Sequence, residues 1–197
     1  MRIRHFLQAV VVMLASLVSF SPSVLASPWA EVGDNQLRSD IELLATAGLV
    51  SDVTTHWPLP WRSILANLGA APLATQPVSV RLAAERVLDR ARAETAPGAS
   101  GSLYLDLTSR AALVRGFDGM GRGEGQTQLS LGYQSSSLSG RISVGVLAQD
   151  LERKSYKLML DGSYVSAKLG GARIYAGYLD HWWGPGQISA LSLSNNA

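Results

Sequence analysis

The sequence predicts an α+β protein, with a small N-terminal helical module followed by the first strands, about five, of an antiparallel outer-membrane β-barrel. From residue 27 to residue 96 apolar side chains recur at helical spacing, and beyond residue 102 they alternate with polar ones at every second position. The alternating segments are roughly ten residues long, whereas strands of soluble sheets usually have about five or six. Their polar positions carry mainly Gln, Ser and Gly, which favours a polar barrel interior over a soluble sheet packed on one side.

Residues 1–26 have the pattern of a signal peptide. Arg2 and Arg4 precede an apolar run of 15 residues, which is shorter than the roughly 20 needed to cross a bilayer as a helix. Val24 and Ala26 then supply the small residues of a cleavage site before Ser27. We therefore expect the protein to be exported.

Three helices are expected in residues 27–96, the predicted periplasmic helical module. Asp34 or Asn35 caps the first helix, which ends at Gly48. A short helix over about 61–68 follows a proline-rich segment, because each proline restricts the residue before it. A proline opens the third helix, which covers about 77–95.

Residues 97–102 are rich in Gly, Ala and Ser and predict a linker, and residues 103–197 predict a partial transmembrane β-barrel. The predicted strands lie near residues 103–114, 126–134, 141–148, 156–161 and 173–178. Five strands cannot close a barrel, and open edges in lipid leave backbone groups unpaired at roughly several kcal/mol each. We therefore expect the chain to be the front part of a longer protein.

Composition excludes several kinds of site. The chain has no cysteine, so it has no disulfide, thiolate metal site or thiol nucleophile. Once the predicted signal peptide is removed, Lys plus Arg equals Asp plus Glu, so there is no electrostatic argument for a nucleic-acid partner. The spacing of His and carboxylate residues predicts no metal site, and we predict no cofactor.

The most informative stretch is 178–197, where two adjacent tryptophans run into a Gly-Pro-Gly turn and then an uncharged segment. Tryptophan faces pack on sugar rings, and amide groups suit saccharide hydroxyls. The candidate saccharide-binding residues are therefore Asp180, Trp182, Trp183, Asn195 and Asn196. The same residue types also suit a membrane interface, a packed turn or a loop. The turn itself is expected at Gly184, Pro185 and Gly186, with Gly supplying positive φ and Pro a fixed φ.

Two motifs, found in the same order, resemble the capsule-assembly Wzi-like family. The first is GDNQLRSDIELLA at 33–45, followed by GLV at 48–50 and WPLPW at 57–61. The second is DHWWGPG at 180–186, running on to LSNNA at 193–197. The resemblance implies an outer-membrane β-barrel with a small helical domain on the periplasmic side. It also implies a lectin that retains capsular polysaccharide at the cell surface.

We therefore expect a non-enzymatic protein of a Gram-negative outer membrane, with capsular or exopolysaccharide and outer-membrane lipid as its partners. Its expected role is to aid capsule assembly or surface attachment. Charged residues that the alternation turns towards the lumen can contact an acidic polysaccharide, although such charges mostly pair with each other. They are Arg110, Arg141, Lys157, Asp161 and Arg173.

Two other functions remain open from the sequence. One is a porin-like channel in which the helical module is a plug. The other is an outer-membrane polysaccharide hydrolase that uses Asp180 or His181. Adjacent residues on a strand point to opposite faces, so these two cannot easily act together, and we predict no catalytic residue.

Overall fold

Three α-helices precede a six-stranded antiparallel sheet, which confirms the predicted α+β class. The computed structural model describes residues 25–51, 54–109, 116–118, 122–150, 153–188 and 190. Nearly all of the predicted signal peptide lies outside these residues, as do Asn195 and Asn196. Among the described residues, no helix is both long enough and apolar enough to cross a membrane.

The helices lie close to their predicted positions. They are α1 (Asn35–Thr46), α2 (Trp61–Ala70) and α3 (Val78–Thr95), with a 3₁₀ turn at Leu73–Thr75. Asp34 caps α1, because its carboxylate accepts a hydrogen bond from the Leu37 backbone N–H at 2.9 Å. Gly48, with φ of +73°, follows the end of α1 as predicted.

The helices pack on one another through their apolar faces. Ile41 and Leu44 of α1, Ile64 of α2 and Val87 of α3 are all fully buried in one hydrophobic core. Burial of such a side chain contributes about 1.5–3 kcal/mol. The predicted apolar stripes are therefore the faces that hold the helical module together.

Two short strand pairs complete the helical module. Strand β1 (Trp29–Ala30) forms an antiparallel pair with β3 (Leu59–Pro60). Strand β2 (His56–Trp57) pairs with β10 (Trp182–Trp183), which comes from the far end of the chain. The segment after the main sheet thus turns back and adds a strand to the helical module.

The main sheet is antiparallel throughout and follows chain order. Its strands are β4 (Gly98–Leu107), β5 (Gly125–Gln134), β6 (Leu138–Asp150), β7 (Ser155–Met159), β8 (Tyr164–Leu169) and β9 (Ala172–Gly177). Both β7 and β8 pair with β6, one beside each half of that long strand. The sheet therefore has five strand positions, in agreement with the predicted number.

A β-bulge separates β7 from β8. Gly145 of β6 pairs with Met159, whereas Arg141 pairs with Tyr164, so the β7–β8 side contains one extra residue. Gly162 lies in the bulge with φ of +83°. The sequence prediction ended this strand at residue 161 and missed β8, because the bulge interrupts the two-residue alternation.

The linker predicted over 97–102 is wrong from residue 98 onwards. Gly98–Ser102 forms the first half of β4 and pairs with the second half of β5. Gly and Ser are typical of linkers, but here they lie where the sheet approaches the helical module. Ser100, for example, accepts a hydrogen bond from the Ala26 backbone N–H at 3.1 Å.

The main sheet has its apolar face exposed and its polar face covered. On β5 and β6 the outward positions include Leu131, 61% exposed, and Ile142, 71% exposed. The inward positions include Ser130, Arg141 and Ser143, all of them buried. A soluble sheet packed on one side would bury the apolar face instead. The inverted arrangement is that of a barrel wall.

The polar face is covered by the helical module. Arg141 of β6 forms an ion pair with Glu31 at 2.6 Å, and the ring of Trp29 packs edge-on against Tyr164 of β8 and Tyr175 of β9. The helical module therefore lies along the inner side of the sheet.

Candidate functional site

The Trp-Trp-Gly-Pro-Gly segment is anchored in the helical module by its first tryptophan. Trp182 is fully buried and lies in the same core as Trp57 and Trp61. Its ring packs edge-on against Phe117, with ring centroids 5.9 Å apart. Its indole N–H donates to the Gly186 carbonyl at 2.8 Å. Trp182 therefore presents no free face and no free N–H to a sugar.

A buried arginine of α1 holds the turn that follows. The guanidinium of Arg38, 1% exposed, donates to the carbonyls of Pro185 at 2.8 Å, Gly186 at 3.1 Å and Gly184 at 3.5 Å. Its Nε donates to Glu42 at 2.8 Å. The rigid fork of donors on arginine suits such a cluster of acceptors. The turn signature thus presents consecutive carbonyls to one cation.

Phe117 connects this cluster to the loop between β4 and β5. Its ring lies 4.6 Å from the Arg38 guanidinium carbon and packs edge-on against Trp57. Its backbone N–H donates to the Gln187 carbonyl at 2.8 Å. An aromatic face against a desolvated guanidinium contributes about 2 kcal/mol. Phe117, the turn and α1 are therefore one packed unit.

The predicted turn conformation is found in part. Gly184 is buried and has φ of +156°, and its N–H donates to the Thr55 carbonyl at 2.9 Å. Gly186 is not among the glycines with positive φ. Its position is explained instead by its carbonyl, which accepts from both Trp182 and Arg38.

The second tryptophan remains accessible. Trp183 is 40% exposed, and its ring is tilted against His56 with centroids 5.3 Å apart. It follows Trp182 on β10, so the two side chains point to opposite faces. Trp183 therefore offers an aromatic surface to solvent at the edge of the packed unit.

The two ionisable residues before the tryptophans have different partners. Asp180 is exposed and lies 3.6 Å from Arg122, which also pairs with Asp161 next to the bulge. His181 Nε2 lies 2.6 Å from the hydroxyl of Tyr175, with the two rings stacked. The structure therefore does not bring Asp180 and His181 together as an acid–base pair. The remaining candidates, Asn195 and Asn196, lie outside the described residues.

A cavity of about 660 Å³ lies between the helical module and the polar face of β4 and β6. Three acids line it: Glu31 pairs with Arg141, Glu94 pairs with Arg90, and Asp34 caps α1. Burial raises the pKa of the Glu94 carboxyl to about 7, although Arg90 and a hydrogen bond from Trp61 act in the opposite direction. The Glu31–Arg141 pair joins the module to the sheet, whereas Arg90 and Glu94 are both on α3.

Sequence reasoning missed Arg38 and Phe117. The burial of Arg38 could have been predicted, because it lies three residues before Ile41 and therefore on the apolar face of α1. Phe117 is a single aromatic residue in a glycine-rich loop, and nothing in its neighbourhood predicts burial. Within the described ranges, no group of three or more His or acidic residues is placed to hold a metal ion.

The family of the chain follows from comparison with known proteins. Residues 99–197, half of the chain, match the family model described as capsule assembly protein Wzi. No curated protein sequence matches. A solved structure from Escherichia coli matches over 82% of this chain with a TM-score of 0.63 and 21% identity. That structure is of Wzi, described as an outer-membrane protein involved in group 1 capsule assembly and as a carbohydrate-binding β-barrel.

The match shows that this chain has the fold of part of the E. coli barrel. The present chain spans about a third of the length of the E. coli protein, since the match covers 35% of that chain. The half of this chain that the family model matches contains the whole main sheet from Ala99 onwards and the Trp-Trp-Gly-Pro-Gly turn. The chain belongs to the Wzi capsule assembly family.

Proposed function

We propose that this protein is a non-enzymatic outer-membrane protein that binds capsular or exopolysaccharide and aids capsule assembly or its attachment to the cell surface. The observation that carries the proposal is the inverted burial of a sheet that belongs to the capsule assembly family. A relative with this fold is described as a carbohydrate-binding barrel, which supports the same role here.

The outward face of the sheet is suited to lipid. Large apolar side chains project from every strand of the sheet and remain exposed, among them Leu105, Leu129, Val144, Leu158 and Ile174. Each would gain about 1.5–3 kcal/mol on transfer from water to an apolar environment. We therefore propose that outer-membrane lipid covers this face.

The connections between strands support a periplasmic position for the helical module. The turn 135–137 and the turn 170–171 lie at one end of the sheet, and the connection from α3 to β4 is at the same end. The connection 108–124 is longer and joins the ends of β4 and β5 that lie at the opposite end of the sheet. In outer-membrane barrels the short turns are periplasmic. We propose that the helical module enters the barrel interior from that side.

The proposed saccharide contacts are Asp180 and Trp183, with Asn195 and Asn196 in the same stretch of sequence. Trp183 is accessible and can stack on a pyranose ring, and Asp180 can accept hydrogen bonds from hydroxyl groups. Trp182 is proposed as the anchor that positions them. A binding role is favoured over hydrolysis because Asp180 pairs with Arg122, whereas His181 pairs with Tyr175.

The test is direct binding of surface polysaccharide. The protein, extracted in detergent, is passed over immobilised polysaccharide taken from the surface of the cells that produce it. We expect the wild type to bind, Trp183→Ala to bind roughly tenfold more weakly because a stacking aromatic is lost, and Trp183→Phe to retain part of the affinity. No binding by the folded wild type would contradict the proposed function. Unchanged binding by Trp183→Ala would show that Trp183 is not part of the binding site.

A further inference from the structure

A second cavity of about 380 Å³ lies where the helical module meets the short-turn end of the sheet. We call it the seam pocket and define it by five of its lining residues. They are Trp29, Arg62, Gln134, Lys168 and Arg173. Its volume falls in the range of about 300–1,000 Å³ that is usual for small-molecule sites.

The seam pocket is strongly basic. Arg62 comes from α2, Lys168 from β8 and Arg173 from β9, and its lining includes no acidic residue. Among the described residues, none of these three cations takes part in an ion pair. This separates the seam pocket from the larger cavity, whose lining includes three acids as well as two arginines, Arg90 and Arg141.

Two neighbouring features do not neutralise this positive charge. Thr95, the last residue of α3, lines the seam pocket, but the C-terminal end of a helix carries only about half a negative charge, against three positive side chains. Arg173 donates to the hydroxyls of Ser139 at 3.2 Å and Ser166 at 3.0 Å, which are neutral acceptors. The positive charge of the pocket therefore remains available to an anion.

An unpartnered polar atom in the same pocket points to a ligand. Gln134 is 5% exposed, and its Oε1 has no hydrogen-bond partner. Buried polar groups are nearly always hydrogen-bonded, so an orphan acceptor calls for a donor from outside the chain. A ligand that satisfies the whole pocket must carry both a negative charge and a hydroxyl or another donor.

We propose that the seam pocket binds an acidic saccharide, with a sugar carboxylate at Arg62, Lys168 and Arg173 and a sugar hydroxyl donating to Gln134 Oε1. The inference rests on the proposed polysaccharide-binding function and adds to it a site at the short-turn end and a preference for uronic acids. A lipid headgroup suits the pocket less well, because Arg173 bonds to buried serines of the inward face, opposite the apolar outward face.

The test uses the detergent-extracted protein and a hexamer of galacturonic acid as the probe, with the carboxyl-reduced, neutral hexamer as its counterpart. The variant Arg62→Gln/Lys168→Gln removes two exposed cations from the pocket, and Arg81→Gln/Lys154→Gln removes the same charges from exposed positions elsewhere. We expect the acidic hexamer to bind at least about tenfold more weakly to the pocket variant and nearly as well to the control variant.

A third variant, Gln134→Met, removes the orphan acceptor and keeps the charges. We expect it to weaken binding of the acidic hexamer by roughly tenfold while inorganic phosphate binding is unchanged. Equal binding of the neutral hexamer, equal losses in the two double variants, or preferential binding of short-chain phosphatidylglycerol would overturn the inference. If surface polysaccharide binds to all variants alike, only this inference fails. If it does not bind the wild type, the proposed function fails as well.

Discussion

Arg38 holds the turn next to the proposed saccharide contacts, although it is not one of those contacts itself. Its guanidinium is buried, and burying a charge is costly unless hydrogen bonds compensate for the lost water. The compensation comes from Glu42 of its own helix and from three carbonyls of the Gly184–Gly186 turn, more than 140 residues away. The position of Trp183 and Asp180 therefore depends on a helix at the start of the chain.

Replacing this arginine should loosen the turn. We expect Arg38→Met to lower the free energy of unfolding by about 1–3 kcal/mol, because the buried Gly184 carbonyl loses a donor. Arg81→Met on the exposed face of α3 should change it by less than about 0.5 kcal/mol. Thermal unfolding of the detergent-extracted protein measures both, and equal midpoints for the two variants would contradict this role.

The sequence predicts residue types better than residue roles. The Trp-Trp-Gly-Pro-Gly motif identified the segment, but a period-two pattern cannot show that β10 leaves the sheet and pairs with β2. Trp182 and Trp183 are indistinguishable in sequence, and the partner strand alone decides which is buried. Saccharide binding by Asp180 and Trp183 stays a prediction, because exposed Asp and Trp side chains also occur on surfaces that bind no ligand.

At the scale of elements, α3 is fastened by a carboxylate in an unusual environment. Glu94 lies near its end, accepts a hydrogen bond from Trp61 at 2.7 Å and pairs with Arg90. Burial nevertheless raises its pKa from the ordinary value of 4.5 to about 7. The folded protein therefore holds this proton in a pH range where the unfolded chain has released it.

This proton makes stability depend on pH. Because the folded state binds more protons between pH 4.5 and 7, the contribution of Glu94 is largest below about pH 4.5 and falls by about 3 kcal/mol as the pH rises to 7. Glu94→Gln, neutral at every pH, should flatten this decline, whereas the exposed Glu85→Gln should leave it unchanged. Unfolding midpoints at pH 5 and pH 7.5 measure the difference, and the same decline in Glu94→Gln would contradict the assignment.

At the end of β9 the backbone leaves no room for a side chain. Gly177 pairs with Tyr164 just after the bulge, with φ of +154°, and a Cβ there would collide with the Ser163 carbonyl oxygen. The strand passes close to Ser163 and Tyr164 at the point where the chain leaves the sheet for the helical module. A side chain at this position would force the two backbones apart.

We expect Gly177→Ala to cost about 1–3 kcal/mol, because the backbone must move to admit the methyl group. Gly171→Ala is the matched control, since no atom lies within 4 Å of a Cβ at that position, and it should cost less than about 0.5 kcal/mol. Resistance to proteolysis in detergent reports the difference. A Gly177→Ala protein as resistant as the control would show that the segment is not held as described.

Of the elements, the helices were the most predictable from sequence. Their caps, glycine stops and apolar stripes are local signals, and all three helices lie close to the predicted positions. Five of the six strands of the main sheet were predicted, but Gly98–Ser102 of β4 and the whole of β8 were missed. Pairing across the sheet, which converts a linker-like composition into a strand, is a long-range interaction that composition does not reveal.

At the scale of the whole molecule, the sheet separates two environments. Its inward face carries serines, glutamines and arginines that contact the helical module, and its outward face carries exposed aliphatic side chains. The two-residue alternation in the sequence predicted both faces, although only the structure shows which one is covered. The polar interior, the two cavities and the accessible Trp183 all lie on one side of this wall, and the proposed lipid contact lies on the other.

The central claim, that the outward face contacts lipid and the inward face does not, can be tested with two neighbouring residues. The chain contains no cysteine, so Leu131→Cys and Ser130→Cys each provide a single site for a nitroxide label in the membrane-embedded protein. Collision with oxygen, which concentrates in lipid, is compared with collision with a water-soluble nickel complex. We predict that the label at 131 collides mainly with oxygen and that the label at 130 is shielded from it. Equal access of the nickel complex to both positions would contradict the account.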